Sequence, residues 1–457
     1  MTESARACGK LRRVTTQTTT VSLAAPPEIN QRRVFLFWLP LAASWLLMAA
    51  ETPFVNAAIA RLGEAERMIA AFGLVASLSI TIESPVIMLL ATSTALARSR
   101  QSYEQLRRFT WHLMLATTLA HLLLAWTPLF DVVVSGWMGV PPVLLEPIRL
   151  GMRIMIFWSA AIAWRRFKQG VLIRWGQTRF VGAGTMLRLL TSGGAALLLW
   201  LLGNISGVAV GALALSAGVM VEALYAQGAT RPVIAEHFGP DAAPEGQPPL
   251  GYGQLVKFHA PLAASTLLLL LAQPLVAAAL ARVPNPVTAL AAWPISWGLL
   301  FLVRAPGMAL PETIIALIDR PNSRAALKQF CVWTGALCTG VLALIAFTPA
   351  AHLYFQKLMG VNATLSNLAA AGAQFGLALP GLMAAHSWLR GLLTARRVTL
   401  PLTLAMGANL AMLTIVLLAG VALHVPGVVL ASVAMSVALG AEVLVLWFAA
   451  RRSEALA

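Results

Sequence analysis

The chain has 457 residues, of which 59% are hydrophobic and only 11% are charged, whereas an ordinary soluble domain is about half apolar and a quarter charged. Apolar stretches long enough to cross a bilayer core of about 30 Å recur along most of the sequence, which leaves no room for a large soluble domain. The formal net charge of +16 requires either a nucleic-acid partner or a charged membrane face to explain it.

The placement of the basic residues decides between these two explanations. With the N-terminus in the cytoplasm, the predicted inside segments hold 25 of the 33 lysines and arginines, the outside loops hold five and the helices three. This asymmetry follows the positive-inside rule. The basic runs lack the interleaved aromatic residues of a nucleic-acid surface. We therefore expect cytoplasmic termini, a plasma (inner) membrane location and no nucleic-acid partner.

The predicted elements begin with a polar cytoplasmic tail over 1–33, expected to be disordered, which lacks the apolar core of a signal peptide. An N-terminal bundle over 34–229 contains six predicted transmembrane helices: 34–60, 67–97, 108–130, 147–172, 181–203 and 206–229. A cytoplasmic linker over 230–254 leads to a second bundle over 255–450. Its six helices are 255–281, 286–316, 327–350, 364–392, 400–423 and 427–450. Residues 451–457 form a short cytoplasmic tail.

The second bundle repeats the sequence of the first. Residues 40–61 match residues 261–282 at 13 of 22 positions, at an offset of 221 residues. Less common residues agree at the same offset: Pro85 with Pro306, Phe109 with Phe330, Gly170 with Gly391 and Thr178 with Thr399. Further along, the offset becomes 220, as Gly207 matches Gly427. Because each bundle has an even number of helices, the repeats are parallel and leave a cleft between them.

These features predict an all-α integral membrane protein of about twelve transmembrane helices, with two parallel-repeat six-helix bundles around a central cleft. Residues 68–74 (MIAAFGL), followed by Pro85, resemble the second helix of the progressive ankylosis (ANK) family, and residues 261–282 resemble its seventh helix. The repeat and the helix count resemble the wider MOP flippase superfamily, which includes the MATE drug exporters. The resemblance therefore implies a MATE-like transporter fold.

The resemblance also implies a function. Members of the ANK family are associated with cellular export of small organic and phosphate-bearing anions, including citrate, ATP and pyrophosphate. It implies secondary active export of such an anion by alternating access, with a coupling proton or sodium ion as a possible second partner. Two alternatives stay open: a MATE-like proton- or sodium-coupled drug or cation antiporter, and a lipid-linked oligosaccharide flippase. Because the chain is internally duplicated, a monomer suffices.

The sequence carries no phosphate loop, nucleophile elbow or metal-ligand cluster, and its three cysteines suggest no disulfide framework. We therefore expect neither an enzyme nor a bound cofactor or metal. A channel is a further alternative, but duplicated halves with charges near the membrane midplane favour alternating access.

Charged residues inside membrane spans are the first functional candidates, because each costs at least about 2.5 kcal/mol to insert. Glu83 and Arg304 occupy equivalent positions in the two repeats, each two residues before a proline that can kink its helix. We expect them to face each other across the cleft. Arg304 would bind a carboxylate or phosphate, and Glu83 would carry a proton or compete for Arg304. The alternative is a permanent buried ion pair.

Further polar residues lie on the first helix of each repeat. Glu51 is a candidate for proton or cation coupling, because the equivalent position in the second repeat is Ala272, beside Gln273. Glu51 would otherwise be an interfacial residue that reaches water. We expect Gln273 and Asn56 to contribute polar contacts to the substrate, although a helix-packing hydrogen bond also explains Asn56.

Arg188 and Glu222 lie at matching depths on adjacent predicted helices, about 10 Å from their cytoplasmic ends. We expect a structural ion pair. Glu442 is the equivalent of Glu222, but Asn409 replaces Arg188, so the sequence names no partner for Glu442.

Overall fold

A computed structural model describes residues 30–239, 250–321, 323–396, 398 and 400–453. The predicted N-terminal tail lies outside this part of the chain except for residues 30–33, as does the middle of the predicted linker. The flanks of that linker belong to helices.

Every regular element among the described residues is helical. The first repeat contains α1 (Gln31–Ile59), α2 (Ala65–Ile82), α3 (Ser84–Ile87), α4 (Leu89–Leu96), α5 (Arg100–Trp126), the π-helix π1 (Asp131–Trp137), α6 (Pro142–Ile154), α7 (Trp158–Arg174), α8 (Thr178–Leu202) and α9 (Gly207–Phe238). The second contains α10 (Tyr252–Leu270), α11 (Ala272–Leu280), α12 (Pro286–Met308), α13 (Leu310–Leu317), α14 (Ser323–Phe347), α15 (Ala350–His352), π2 (Leu353–Leu358), α16 (Ala363–Phe375), α17 (Leu379–Ala395), α18 (Leu400–Ala422) and α19 (Gly427–Arg452).

The prediction of an all-α membrane protein is confirmed. Within the described ranges, ten helices are long and apolar enough to cross a membrane, or eleven if α16 and α17, which meet at 41°, form one bent span. The remaining predicted span, 147–172, corresponds to α6 and α7. Its two helices are only 13 and 17 residues long, and α7 also carries basic residues along its length: Arg165, Arg166, Lys168 and Arg174.

The helix boundaries repeat at the offset found in the sequence. α4 and α13, α6 and α16, and α7 and α17 each begin and end 221 residues apart, and π1 and π2 end 221 residues apart. Three backbone positions with positive φ also recur at this offset: Glu64 with Asn285, Gly139 with Gly360 and Gly203 with His424. The two repeats thus share local geometry as well as sequence.

Prolines explain the breaks in the second helix of each repeat. Pro85 lacks the backbone N–H that a continuous helix would use, and the helix of the first repeat is interrupted at Glu83, two residues before Pro85, and again at Met88. In the second repeat Pro306 lies inside α12, and the interruption at Ala309 comes two residues before Pro311. The carbonyls of Pro85 and Pro306 accept hydrogen bonds from the first helix of the other repeat. Trp38 Nε1 donates to the Pro306 carbonyl at 3.0 Å, and His259 Nε2 donates to the Pro85 carbonyl at 2.8 Å. Trp38 and His259 are themselves equivalent positions.

The two repeats touch most closely where α2 crosses α12. A Cβ atom on Gly73 would lie 2.5 Å from Cγ of Pro294, its equivalent in the second repeat. Glycine is therefore needed at this crossing. Each is the ninth residue of its helix, and both helices begin at the molecular face that we name the far face, where α1 ends. We name the other face, where α1 begins, the basic face.

Two equivalent arginines join the repeats at the far face. Arg61 donates to the carbonyls of Leu358 at 2.8 Å and Met359 at 3.2 Å. Arg282 donates to the carbonyl of Met138 at 2.7 Å and to that of Trp137. Each guanidinium thus binds carbonyls at the end of the π-helix in the opposite repeat. We name these contacts the far-face clasps.

Candidate functional site

The space between the repeats lies beyond the α2–α12 crossing, toward the basic face. Positions one and two turns further along the same helix faces are partly exposed: Ala76 and Ile80 on α2, Trp297 and Phe301 on α12. Because Gly73 and Pro294 bring these faces together, the exposed positions that follow line the walls of a cleft. One wall is small and aliphatic, and the other is aromatic.

Arg304 continues the aromatic wall. Its guanidinium lies over the rings of Trp297 and Phe301, 4.4 Å and 5.4 Å from their centroids. No carboxylate of the described residues lies within ion-pair distance of Arg304, and its Nε has no hydrogen-bond partner. Stacking on aromatic faces leaves the N–H groups in the guanidinium plane free to bind an anion.

A cavity of about 200 Å³ lies between α1, α8 and α13. Its lining is largely apolar, with Glu312 as its carboxylate: Leu41, Ser44, Trp45, Met48, Thr185 and Glu312. Leu41 and Ser44 lie in the half of α1 nearer the basic face, Trp45 is its middle residue, and Met48 lies just past it. The cavity therefore extends from the basic side to about the middle of α1, while the far-face clasps join the repeats at the far face.

The first repeat encloses a network of buried charges. Arg188 binds both carboxylate oxygens of Glu51, with Nε at 3.0 and 3.1 Å, and Ser192 donates to Glu51 Oε1 at 2.7 Å. Glu51 is only 5% exposed. Glu51 is therefore a paired carboxylate in the interior of the first bundle, and not an interfacial residue that reaches water.

Glu222 forms the second centre of this network and is fully buried. Arg165 donates to one of its carboxylate oxygens and Gln169 donates to the other at 2.9 Å. Arg188 lies 3.8 Å from Glu222. The predicted pair of Arg188 and Glu222 is thus present only as a long contact, because Arg188 is oriented by Glu51 and Arg165 fills the position beside Glu222.

Arg165 is the partner that sequence reasoning missed. Arg165 lies inside the predicted span 147–172, at the start of a basic run, and the sequence alone names no partner for it. The structure places it within α7, with 4% of its surface exposed. The repeat does point to Arg165. The equivalent position in the second repeat is His386, which is itself a polar residue within a predicted span.

Glu83 and Arg304 form no ion pair among the described residues, so the alternative of a permanent pair between them is wrong for this conformation. Glu83 lies instead within electrostatic range of Arg165, Arg166 and Arg188, and its Oε2 has no hydrogen-bond partner. These arginines lie on α7 and α8 of the first bundle, so the charged neighbours of Glu83 belong to its own repeat.

The second repeat carries a reduced copy of the network. His386 Nε2 lies 3.0 Å from Glu442 Oε1, and Asn409 donates to Glu442 Oε2 at 2.8 Å. These residues occupy the positions of Arg165, Glu222 and Arg188. The structure thus supplies the partners of Glu442 that the sequence left open, and they carry at most one positive charge in place of two.

The two remaining candidates have different surroundings. Gln273 Oε1 accepts a hydrogen bond from Trp293 Nε1 at 3.3 Å, which places Gln273 beside the ring that precedes Trp297 on α12. Asn56 is 1% exposed, and neither polar atom of its side chain has a hydrogen-bond partner among the described residues. A helix-packing hydrogen bond from the Asn56 side chain is therefore not present.

Comparison with known proteins identifies the fold. No family model and no curated protein matches the sequence. An inward-facing multidrug resistance MATE family transporter of the MOP superfamily matches 93% of this chain and 99% of its own, with TM-score 0.67 and 14% identity. The lipid II flippase MurJ, in an inward closed conformation, matches 91% of this chain and 87% of its own, with TM-score 0.68 and 13% identity. The chain has the MATE fold.

A third solved structure is similar to this chain. It is a MOP superfamily transporter from Pyrococcus furiosus, described as having a binding pocket of reverse polarity that suggests a different function. It matches 94% of this chain and 99% of its own, with TM-score 0.61 and 15% identity. The likeness to the ANK family rests on sequence motifs alone and stays a prediction.

Proposed function

We propose that the chain is a secondary active transporter that exports a small organic or phosphate-bearing anion by alternating access. The observation that carries the proposal is Arg304, a guanidinium on the cleft wall without a carboxylate partner among the described residues. A cation in a low-dielectric site is costly unless an anion binds it. A substrate carboxylate or phosphate would supply that anion.

The first repeat would hold the coupling site. Glu51 is held by Arg188 and Ser192, whereas Glu83 keeps an oxygen without a partner beside three arginines. We therefore assign proton or sodium coupling to Glu83, with Glu51 as the residue that positions Arg188. Substrate and coupling ion would then occupy different repeats.

Replacing Glu83 with glutamine should separate transport from its driving force. We expect Glu83→Gln to retain exchange of anion for anion but to lose accumulation driven by a proton or sodium gradient, because the amide neither releases a proton nor supplies a charged ligand. Both fluxes can be measured in liposomes that contain the purified protein. Glu104→Gln is the matched control, since Glu104 pairs with Arg100 in an exposed position. Loss of gradient-driven transport in both variants would contradict the assignment.

Export also requires the far-face clasps to open. Replacing both Arg61 and Arg282 with alanine removes charge-assisted hydrogen bonds worth about 1.5 kcal/mol or more each. We expect the outward-open population to rise at least about tenfold. The readout is the labelling rate of a cysteine at Ala76 by an impermeant thiol reagent applied outside cells.

Arg67→Ala is the control for this experiment, because Arg67 lies at the same face but bonds within its own repeat, to Glu64 and the Val143 carbonyl. An unchanged labelling rate in the double variant would show that the clasps do not hold the closed state.

We place the basic face in the cytoplasm, as the distribution of lysine and arginine favours. Both termini are then cytoplasmic, and the cleft loads substrate from inside the cell. We also propose that residues 34–229 and 255–450 are the two units that move relative to each other, in a monomer within the plasma (inner) membrane.

A second candidate is a cation or drug antiporter, favoured by the buried carboxylates Glu51 and Glu83. Metabolite profiling of the medium around cells that express the protein, with tolerance to cationic drugs scored in parallel, separates the two. We expect an organic or phosphate-bearing anion to accumulate with the wild type and not with an empty vector. Raised drug tolerance without any such anion would support the antiporter instead.

A further inference from the structure

The charged side chains near Arg304 differ from those near Glu83, its equivalent in the first repeat. Glu83 lies within electrostatic range of Arg165, Arg166 and Arg188, and Arg188 also binds Glu51. Three of the equivalent positions in the second repeat hold neutral residues: Ala272 for Glu51, Ser387 for Arg166 and Asn409 for Arg188. The fourth, His386 for Arg165, is bound to Glu442. Arg304 therefore stands as an isolated positive charge within its part of the described cleft.

An isolated guanidinium carries one positive charge, which a singly charged anion neutralises. A trianion such as citrate would leave negative charge without a partner in a low-dielectric space, where uncompensated charge is costly. Glu312, which lines the cavity nearer the basic face, would add repulsion. The described lining thus disfavours the more highly charged members of the anion class.

The wall beside Arg304 is an aromatic ladder. The rings of Trp293 and Trp297 lie 5.3 Å apart, and those of Trp297 and Phe301 lie 6.4 Å apart at an angle of 23°. On α2, the small and aliphatic side chains of Ala76 and Ile80 are partly exposed. A flat apolar body can lie along such a wall while its charged group reaches the guanidinium.

We infer that the cleft takes a singly charged organic anion with a planar apolar body, whose charged group binds Arg304 and whose body packs on Trp297 and Phe301. This inference rests on the proposed function and narrows its substrate class. Two features of α12 then determine specificity: Arg304 selects the charge of the substrate, and the aromatic wall selects its planar apolar body.

Three anions test the inference on the full chain reconstituted in liposomes: naphthalenesulfonate, methanesulfonate and citrate. Naphthalenesulfonate stays charged and carries the planar body, and methanesulfonate has the same charged group without it. We expect exchange of naphthalenesulfonate at least about tenfold faster than that of the other two. Trp297→Leu should remove about tenfold of this preference, because it removes a ring on which the planar body packs. Trp297→Phe should retain most of the preference.

Arg153→Ala is a matched control, because Arg153 lies 4.4 Å over the Trp126 ring and its Nε has no partner, but it belongs to α6. Its exchange rates should equal those of the wild type. Exchange that favours citrate and depends on Arg304 would overturn the inference and leave the proposed function standing. Exchange of none of these three anions, and none of pyrophosphate added as a fourth, would overturn both.

Discussion

Arg304→Ala should reduce anion transport about 100-fold while the protein still inserts and folds. Truncating one partner of a desolvated charge pair costs about 2 to 5 kcal/mol, and every 1.4 kcal/mol is a factor of ten. Folding should survive because Arg304 has no carboxylate partner among the described residues to leave behind. Removing the charge also removes a desolvation cost. The flux of the exported anion in liposomes with equal amounts of protein measures the effect.

Arg304→Lys refines this result. Lysine keeps the positive charge but lacks the planar fork and the stacking surface of the guanidinium. We expect an intermediate loss of about tenfold. Full transport by Arg304→Ala, with insertion confirmed, would remove Arg304 from the substrate site.

Glu222→Leu should lower the free energy of unfolding by about 3 to 5 kcal/mol, because it leaves buried Arg165 without its charged partner. The repeat offers a matched control in Glu442→Leu. Glu442 is bound by His386 and Asn409, so its loss leaves a histidine that can be neutral and an amide, at a cost of about 1 to 3 kcal/mol. Unfolding of the purified proteins in detergent, followed by helical circular dichroism, compares the two.

A double variant, Arg165→Met with Glu222→Leu, distinguishes charge from packing. Replacing both members of a buried pair with apolar residues is often neutral or stabilising. We expect it to recover most of the stability lost in Glu222→Leu. Equal losses in Glu222→Leu and Glu442→Leu would show that Arg165 contributes no unpaired charge.

The sequence predicts the architecture well because each crossing of the bilayer requires a long apolar stretch in the sequence. Apolar length marks the spans, and the repeat gives the relation between the halves, so α4 and α13 begin and end at the spacing the alignment predicts. The predicted span 147–172 departs from this pattern. That span contains Arg165, but hydropathy gives no sign that its guanidinium pairs with Glu222.

The site was less predictable because side-chain direction depends on helix rotation. Equivalent positions such as Glu83 and Arg304 need not face each other: Glu83 lies near arginines of its own bundle, whereas Arg304 lies over the rings of Trp297 and Phe301. Pairing among Glu51, Arg188, Glu222 and Arg165 depends on the packing of four helices from one bundle, which hydropathy and spacing do not encode. The alignment of the repeats does relate Arg165 to His386, and it is the strongest guide to that network.

Counterflow by the wild-type protein tests the central claim most directly. Liposomes loaded with a high concentration of unlabelled anion are diluted into a trace of the same anion carrying a label. A carrier whose single site faces each side in turn should accumulate the label transiently above its outside concentration, in a saturable way. Uptake that only equilibrates, without overshoot or saturation, would contradict alternating access and indicate a pore.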